Sequence, residues 1–243
     1  MVRVLVNGAK GRMGSEAVKA INNDPELTLV GEADVGDDLA AKIAETQADV
    51  VVDLTAASAG YNNTQTILNA GARPVIGTSG FQQHQVDELQ QLSIEKKLGG
   101  LIAPNFSVGA VLMMKFAAEA AKFLPDVEVI EAHSPQKEES PSGTGVRTVE
   151  LIAQARTKAA TPTSDKELIE GARGAKLHDV PLHSVRLPGV VAQQTVFFGG
   201  LSETLKIEHN SQHRESFMPG ICLACKQVMT REQLVYGLEH LMD

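Results

Sequence analysis

Short runs of β-branched and aliphatic residues alternate with amphipathic stretches over roughly the first hundred residues. In the amphipathic stretches, apolar residues recur every three or four positions, which predicts helices, and the short runs predict strands. The predicted strands cover residues 2–7, 27–33, 50–54, 74–77 and 100–103, and the predicted helices cover 13–22, 39–45, 61–70 and 83–96. This alternation is typical of a doubly wound parallel sheet, which binds ligands at the carboxyl ends of its strands.

The pattern changes after Asn105. A long apolar helix is predicted over residues 108–123, then a strand over 127–132, a polar loop and a helix over 146–158. Strand-like runs follow at 184–187, 190–198 and 203–208, separated by turn signals at Pro188-Gly189 and Gly199-Gly200. These runs predict an antiparallel meander, and the chain is expected to return to helix from Phe217 onward. The second half is therefore expected to be α+β, with a mixed, largely antiparallel sheet.

The composition is that of an ordinary globular protein. Its net negative charge argues against polyanionic partners. There are 22 Lys and Arg residues against 30 Asp and Glu, which leaves a net charge of −8. Nucleic acids and anionic membranes require a dense cationic surface, so neither is expected as a partner. Residues 1–7 are too short and polar for a secretory signal, and no stretch reaches the roughly 20 apolar residues of a membrane span. We expect a cytoplasmic protein.

Cysteine and histidine spacing gives no sign of metal or redox chemistry. Cys222 and Cys225 have C-x-x-C spacing but lie in an apolar run, so we interpret them as buried thiols. The histidines at 178, 183, 209 and 213 do not fall at metal-ligand spacing, and no metal site is expected.

The first predicted strand leads directly into the glycine-rich segment Gly8-Ala9-Lys10-Gly11-Arg12-Met13-Gly14, which is followed by a helix. Glycines in such a turn let backbone N–H groups and the positive helix terminus approach a pyrophosphate. Asp34 lies about twenty residues further on, at the end of the second strand, where a carboxylate can bind the adenosine ribose. Glu32 is the alternative.

The choice between NADH and NADPH stays open. A carboxylate at Asp34 favours NAD by repelling a 2′-phosphate. Lys10 and Arg12 can offset that repulsion, although both are equally interpretable as solvated turn charges. Two further loops at strand ends, Gly77-Thr78-Ser79-Gly80-Phe81 and Ala103-Pro104-Asn105-Phe106-Ser107, are expected to line the cofactor's ribose and nicotinamide. The alternative is ordinary turn chemistry, with Ser79 and Ser107 as helix caps.

The loop after the strand at 127–132 concentrates reactive side chains. His133 can exchange a proton near neutral pH, and Lys137 can bind a carboxylate or supply a proton. Ser142, Gly143 and Thr144 would present N–H and hydroxyl donors at a positive helix end, which suits a carboxylate. The alternative is a polar surface loop in which Ser142 only caps the next helix.

Taken in order, these motifs resemble the bacterial 4-hydroxy-tetrahydrodipicolinate reductase family, formerly called dihydrodipicolinate reductase. The segments that carry the resemblance span nearly the whole chain: 8–14, 77–81, 104–109, 133–145, 183–189 and 216–220. The resemblance implies an NADH- or NADPH-dependent oxidoreductase of lysine and diaminopimelate biosynthesis. Such an enzyme reduces (2S,4S)-4-hydroxy-2,3,4,5-tetrahydrodipicolinate to tetrahydrodipicolinate with loss of water.

The resemblance also implies an organisation into domains. A Rossmann-like dinucleotide-binding domain would cover residues 1–106, with C-terminal helices 215–243 packing back on it. A substrate-binding and tetramerisation domain would cover 107–214, and a hinge between the domains would close on ligand. We therefore expect a homotetramer that acts on a small dicarboxylate.

By position, the resemblance assigns a role to each motif. His133 matches the catalytic proton donor or acceptor, and Lys137 matches the proton donor. The substrate would contact Ser134, Lys137, Ser142, Gly143 and Thr144. The cofactor would contact Gly8, Ala9, Lys10, Gly11, Arg12, Met13, Gly14, Asp34, Gly77, Thr78, Ser79, Ala103, Pro104, Asn105 and Phe106.

The chain departs from the family at a few positions. Ser134 stands where the family usually has a second histidine, and Gln193 stands where many members carry His. Glu138 and Glu139 follow Lys137, where one acidic and one small residue are commoner, and we expect both carboxylates to face solvent. Ser134 and the Glu138-Glu139 pair leave a second hypothesis open, a non-catalytic nucleotide-binding sensor or degenerate paralogue. A third hypothesis is an oxidoreductase of another small oxo-acid, which keeps the dinucleotide-binding half but leaves the spacing from Lys137 to Thr144 unexplained.

Overall fold

The computed structural model describes residues 1–78, 80–162 and 166–242. Ser79, predicted to bind the cofactor, lies outside the described residues, as does the end of the connection at 160–165. The chain divides into two compact units, Met1–Val108 with Arg214–Asp243, and Gly109–His213. No helix in the described part of the chain is long and apolar enough to cross a bilayer.

The first unit contains a six-stranded parallel sheet, formed by the strands β1 (Val2–Asn7), β2 (Leu27–Ala33), β3 (Val50–Asp53), β4 (Arg73–Ile76), β5 (Gly100–Ile102) and β11 (Leu234–Tyr236). Their order across the sheet is β11-β5-β4-β3-β1-β2. Its helices are α1 (Gly14–Asn23), α2 (Leu39–Thr46), α3 (Ala57–Asn69), α4 (Gln83–Lys96) and α7 (Met218–Gln227). The doubly wound arrangement is confirmed.

The hydrophobic runs form this sheet because parallel strands are buried on both faces. Leu5, Val51 and Ile76 are fully buried in the core of the first unit. The strand order places β2 on one side of β1 and β3 on the other, so the chain direction across the sheet reverses at β1. In open α/β sheets the crevice at such a reversal is the usual ligand site.

The second unit contains a five-stranded sheet, formed by the strands β6 (Asp126–His133), β7 (Ala175–Leu177), β8 (Val180–Arg186), β9 (Ala192–Gly200) and β10 (Glu203–Ser211). Their order across the sheet is β10-β9-β6-β8-β7. The helices α5 (Val108–Ala121) and α6 (Gly143–Ala155) pack residues such as Ala117 and Ile152 into its core. Among the described strands of this sheet, only the pairing of β6 with β8 is parallel, so the expectation of a mixed, largely antiparallel sheet is confirmed.

The predicted meander is wrong in one connection. β9 and β10 form the expected hairpin, but β8 does not pair with β9, because β6 lies between them. The chain leaves β8 beside the end of β6, where the Leu187 N–H donates to the His133 carbonyl at 3.0 Å, and then crosses to the other edge of β6. A local turn signal at Pro188-Gly189 predicts a reversal but does not distinguish a tight hairpin from this crossing.

Two short strands were missed. β7 pairs with β8 through a turn in which His178 and Asp179 have φ of 47° and 61°, values that Asp tolerates better than most residues. β11 pairs with β5, so the segment after Phe217 is not wholly helical. Both strands are three residues long, which is too short for an alternating pattern to be recognised.

The two cysteines lie on α7 and are buried, which agrees with their interpretation as structural thiols. Burial raises the pKa of both Cys222 and Cys225. A thiol with a raised pKa is a poor nucleophile, because the thiolate is the reactive form.

Candidate active site

The glycine-rich turn follows β1 at the carboxyl edge of the first unit's sheet. Gly8 has φ of +82°, a conformation that side chains disfavour, and its N–H donates to the Ala33 carbonyl at 2.9 Å. A Cβ at Gly14 would lie 2.0 Å from the Gly8 carbonyl oxygen. The turn is therefore folded so closely onto the start of α1 that only glycine fits at position 14.

Unpaired N–H groups lie at the end of this turn. Those of Arg12, Met13 and Gly14 donate to no residue in the part of the chain that the structure describes. Because these groups precede and begin α1, they are the unsatisfied donors that a helix N-terminus offers to an anion. Lys10 and Arg12 are exposed, and Ala9 is buried. This arrangement fits a pyrophosphate.

Asp34 lies directly against the turn. Its Oδ2 accepts a hydrogen bond from the Lys10 N–H at 2.8 Å, and its Oδ1 accepts one from the Val35 N–H at 2.8 Å. These backbone hydrogen bonds, Val35 first and then Lys10, lower the pKa of Asp34. Each carboxylate oxygen keeps a further lone pair, which suits a ribose hydroxyl. Glu32 is exposed within β2 and does not make these contacts.

The predicted nicotinamide-side residues lie at the ends of β4 and β5. A Cβ at Gly77 would lie 2.8 Å from Cε2 of the buried Phe106, so Phe106 packs closely over this glycine. The hydroxyl of Thr78 is buried and has no hydrogen-bond partner among the described residues. Asn105 Oδ1 accepts from the Ser107 N–H at 2.8 Å and shapes the turn that follows Ala103 and Pro104. A buried hydroxyl without a partner is a feature that a bound ligand would satisfy.

His133 ends β6 in the second unit, and its ring contacts a buried carboxylate. The distance between His133 Nδ1 and Glu131 Oε2 is 2.5 Å. The Glu131 side chain is fully buried, whereas that of His133 retains 16% of its exposed surface. His133 Nε2 makes no hydrogen bond to another residue in the described segments, so it is the ring nitrogen available to a ligand.

Arg186 and Ser184 of β8 reach the same carboxylate. The Arg186 guanidinium donates to Glu131 Oε1 at 3.0 Å and to Oε2 at 3.1 Å. Burial alone would raise the pKa of Glu131, but hydrogen bonds from His133, Ser184 and Arg186 lower it to about 2. Glu131 is therefore ionised throughout the physiological pH range.

A tight turn brings Lys137 back toward the end of β6. The Lys137 N–H donates to the Ser134 carbonyl at 3.1 Å, with Pro135 as the first central residue. Lys137 Nζ lies 2.6 Å from Glu139 Oε2. Glu138 and Glu139 are both exposed, as expected, but Glu139 also pairs with Lys137, which the sequence did not indicate.

The helix α6 begins at Gly143, three residues earlier than predicted. Ser142 caps it, since its hydroxyl accepts from the Gly145 N–H at 3.1 Å, and the Ser142 N–H donates to Glu131 Oε1 at 3.3 Å. The N–H of Gly143 donates to no described residue. Gly143 and Thr144 form the first turn of the helix, where N–H groups point outward along the axis.

Sequence reasoning missed Glu131 and Arg186 as members of this site. The alternation of β6 carried a signal, because Val127 and Val129 face the core and Glu131 continues the same face. A carboxylate on a buried face is almost always paired. Gln193 pairs with Ala132 across the sheet and donates to Glu208, so it lies on the face opposite Glu131 and His133.

Comparison with known proteins covers both units. Residues 2–106 match the family model described as "Dihydrodipicolinate reductase, N-terminus", and residues 109–242 match "Dihydrodipicolinate reductase, C-terminus". The chain is 51% identical over 240 residues to 4-hydroxy-tetrahydrodipicolinate reductase of Legionella pneumophila (strain Lens), with 99% of each chain covered. It is 48% identical over 253 residues to the protein of the same name from Streptococcus gordonii, again with 99% of each covered.

The fold of the whole chain is also similar to that of a solved dihydrodipicolinate reductase. Dipicolinate-bound dihydrodipicolinate reductase from Paenisporosarcina sp. TG-14 superposes with a TM-score of 0.91 at 39% identity and covers 100% of both chains. An amine dehydrogenase from Mycobacterium smegmatis superposes with a TM-score of 0.66 at 12% identity, covering 96% of this chain and 94% of its own. The second likeness shows the fold alone.

Proposed function

The chain belongs to the dihydrodipicolinate reductase family. From this premise we propose that it reduces (2S,4S)-4-hydroxy-2,3,4,5-tetrahydrodipicolinate to (S)-2,3,4,5-tetrahydrodipicolinate with loss of water, in lysine biosynthesis via the diaminopimelate pathway. The observation that carries the proposal is the placement of His133, Lys137 and the start of α6 around one loop of the second unit. Relatives named for this reaction match over the full length.

The first unit would hold a nicotinamide dinucleotide. The N–H groups of Arg12, Met13 and Gly14 would bind the pyrophosphate, with Lys10 and Arg12 adding positive charge. Asp34 would accept hydrogen bonds from the adenosine ribose. When bound, the reduced nicotinamide supplies a hydride. Gly77, Thr78 and the segment 103–106 would line its nicotinamide end.

We propose that the protein uses both NADH and NADPH. Asp34 disfavours a 2′-phosphate, and the exposed Lys10 and Arg12 side chains on the same turn favour it. Because these opposite charges lie on or against the same turn, we expect both cofactors to bind.

The second unit would hold the dicarboxylate substrate. Gly143 and Thr144 begin α6, so their N–H groups and the helix dipole attract one carboxylate. Lys137 would contribute the placed cation, and Ser134 a hydroxyl donor. Because the chain has a net charge of −8, its overall electrostatic potential does not attract an anionic substrate. The attraction must therefore come from local groups such as Lys137 and the start of α6.

Two groups of this site can move protons. The reduction takes up a hydride and a proton and releases water, so a proton donor is needed beside the reacting carbon and the leaving hydroxyl. Lys137 would supply the proton that follows hydride addition to the conjugated imine. His133 would exchange a proton through Nε2, because its Nδ1 is already bound to Glu131.

We propose that the protein is a homotetramer assembled through the sheet of the second unit. Phe197 supports this, since it lies on the face opposite the core residues Val196 and Phe198 and is 39% exposed. A solution mass four times that of the chain, measured by light scattering, is the expected result. A monomeric mass at micromolar concentration would contradict it.

Complementation of a diaminopimelate-auxotrophic bacterium that lacks this reductase tests the activity. Growth without diaminopimelate is the expected result, and variants in which Ala replaces His133 or Lys137 should not restore it. Failure of the wild-type chain to support growth, despite soluble expression and cofactor binding, would favour a non-catalytic nucleotide sensor. The Lys137–Glu139 ion pair is the observation that keeps that second candidate open.

A further inference from the structure

One buried carboxylate, that of Glu131, contacts both His133 at the end of β6 and Ser142 at the start of α6. Glu131 is fully buried, and its oxygens accept hydrogen bonds from three separate elements. Its Oε2 contacts His133 Nδ1 of the same strand, its Oε1 accepts from the Ser142 N–H at the start of α6, and both oxygens accept from Arg186 of β8.

The strand register explains this convergence. Glu131 and His133 are two residues apart on β6, so their side chains leave the same face of the sheet. In the parallel pairing of β6 with β8, Glu131 is opposite Ser184 and His133 is opposite Arg186. The start of α6 packs against this face, since a Cβ at Gly145 would lie 3.4 Å from Glu131 Cγ, which is van der Waals contact.

The contact with Glu131 determines which nitrogen of His133 carries a proton. An ionised carboxylate can only accept, so Nδ1 must be the donor in the 2.5 Å contact. The neutral ring then has its lone pair on Nε2. Without Glu131, the ring would be free to adopt the other tautomer or to rotate.

The same carboxylate fixes the helix that is to bind the substrate carboxylate. Ser142 is buried and caps α6, and its N–H is held by Glu131 Oε1. Arg186 balances the charge of Glu131, and it also donates to the Glu139 carbonyl at 2.7 Å, within the loop that carries Lys137. One anion thereby links the proton-transfer residue, the helix start and the loop.

We propose that Glu131 is a positioning residue of the reductase, which holds His133 with Nε2 available to the substrate and holds Ser142 so that α6 begins at a fixed place. Glu131 does not touch the substrate and acts through His133 and Ser142. The kinetic part of this inference rests on the proposed function, whereas its structural part does not.

The structural part is tested by the imidazole ¹⁵N spectrum of the whole protein above about pH 8, where histidine is normally neutral. The His133 signals, assigned by comparison with the His133→Ala variant, should show the tautomer protonated at Nδ1. In Glu131→Gln they should shift toward a mixture of tautomers. A matched control is Glu128→Gln, which removes the partner of His183 on the other face of β6 and should leave the His133 signals unchanged. A wild-type ring protonated at Nε2 would overturn the proposal.

The kinetic part compares Glu131→Gln with the wild type. The kcat should fall about 10- to 100-fold, a part of what a well-placed acid–base group contributes, while the Kd for NADPH stays within about twofold. In a His133→Ala background the same substitution should lower kcat by a smaller factor, because His133 is gone and only the contact with Ser142 remains for Glu131 to act through. An equal loss in both backgrounds, or a wild-type kcat in Glu131→Gln, would overturn the proposal.

Glu131→Asp guards against loss of the fold, since it keeps a negative charge beside Arg186. It withdraws the carboxylate by one methylene group from His133 and from the Ser142 N–H. It should fold and still lose at least tenfold in kcat, about the lower end of the range above. Wild-type kcat in this folded variant would also overturn the proposal. If the wild-type chain itself reduces no substrate, the proposed function fails, and the tautomer measurement still tests the placement of His133.

Discussion

Lys137 Nζ lies 2.6 Å from Glu139 Oε2, so the lysine assigned to the substrate already has a counter-ion two residues further along its own loop. The lysine side chain is 28% exposed and that of Glu139 is 77% exposed. The hydrogen bond from Lys137 lowers the pKa of Glu139, so Glu139 is ionised at neutral pH. A substrate carboxylate must therefore compete with Glu139 for Lys137.

Removing this competitor should tighten substrate binding. In Glu139→Gln we expect the KM for substrate to fall about two- to fivefold with kcat nearly unchanged, because exposed ion pairs contribute only about 0.2–1 kcal/mol. Glu138→Gln is the matched control, since Glu138 is exposed next to it and is not paired with Lys137 in the structure. Initial rates over a range of substrate concentration measure both. A higher KM in Glu139→Gln would show that Glu139 helps to bind the substrate.

Substitution of Lys137 itself should reduce activity far more than substitution of Glu139. Lys137→Met keeps the length of the side chain but removes the charge and the proton, so kcat/KM should fall at least about a hundredfold. Lys122→Met is the control, because Lys122 also lies in the second unit and pairs with an exposed carboxylate, Glu119. Comparable rates in the two variants would argue against the role of Lys137.

Substitution by alanine should have different effects on stability at two glycines of the site. Gly143→Ala should fold normally, because no described atom lies within 4 Å of the added Cβ, yet it should raise the KM for substrate by obstructing the start of α6. Gly14→Ala should lose stability and cofactor binding together, because its Cβ would lie 2.0 Å from Gly8 O. Thermal unfolding and KM, measured on both variants, separate the effects. An unchanged KM in Gly143→Ala would place the substrate elsewhere.

The buried Glu131 carboxylate should make the fold sensitive to acid. Burial raises its pKa, but hydrogen bonds from His133, Ser184 and Arg186 outweigh burial and lower it from 4.5 to about 2. Because the folded value lies below the unfolded value, ionisation stabilises the fold above about pH 4.5, and that stabilisation is lost as the pH falls toward 2. It amounts to at most about 3 kcal/mol of unfolding free energy.

Urea unfolding of the wild type and Glu131→Gln over this pH range measures the effect. The wild type should lose more unfolding free energy than the variant as the pH falls, since only the wild type titrates at position 131. Parallel curves would show that Glu131 is not held as an ion in the folded protein.

Much of the fold follows from local pattern. The predicted limits of β1 (Val2–Asn7) and β2 (Leu27–Ala33) match the structure, because each is rich in aliphatic residues that favour a strand and is followed by turn residues. The position of β6 between β8 and β9 could not be predicted in this way. Strand order depends on contacts between distant segments, whereas the turn signals at Pro188-Gly189 report only local backbone geometry.

The candidate site also has features that the sequence predicts and contacts that it does not. The turn at Gly8 and the carboxylate of Asp34 could be placed together from sequence, because both follow parallel strands and so lie at one edge of a sheet. The contacts of Glu131 could not, since Arg186 lies 55 residues away and reaches it only through the pairing of β6 with β8. The pairing of Lys137 with Glu139 depends on the loop conformation and was likewise not readable from spacing.

The most direct measurement is the steady-state oxidation of NADH and of NADPH by the purified protein, with the substrate generated in the same cuvette by the preceding aldolase-type synthase. We predict that both cofactors are oxidised, only when the substrate is supplied, and with kcat/KM values within about a hundredfold of each other, which corresponds to less than about 3 kcal/mol of discrimination. Binding of either cofactor without any substrate-dependent oxidation would contradict the proposed reductase activity.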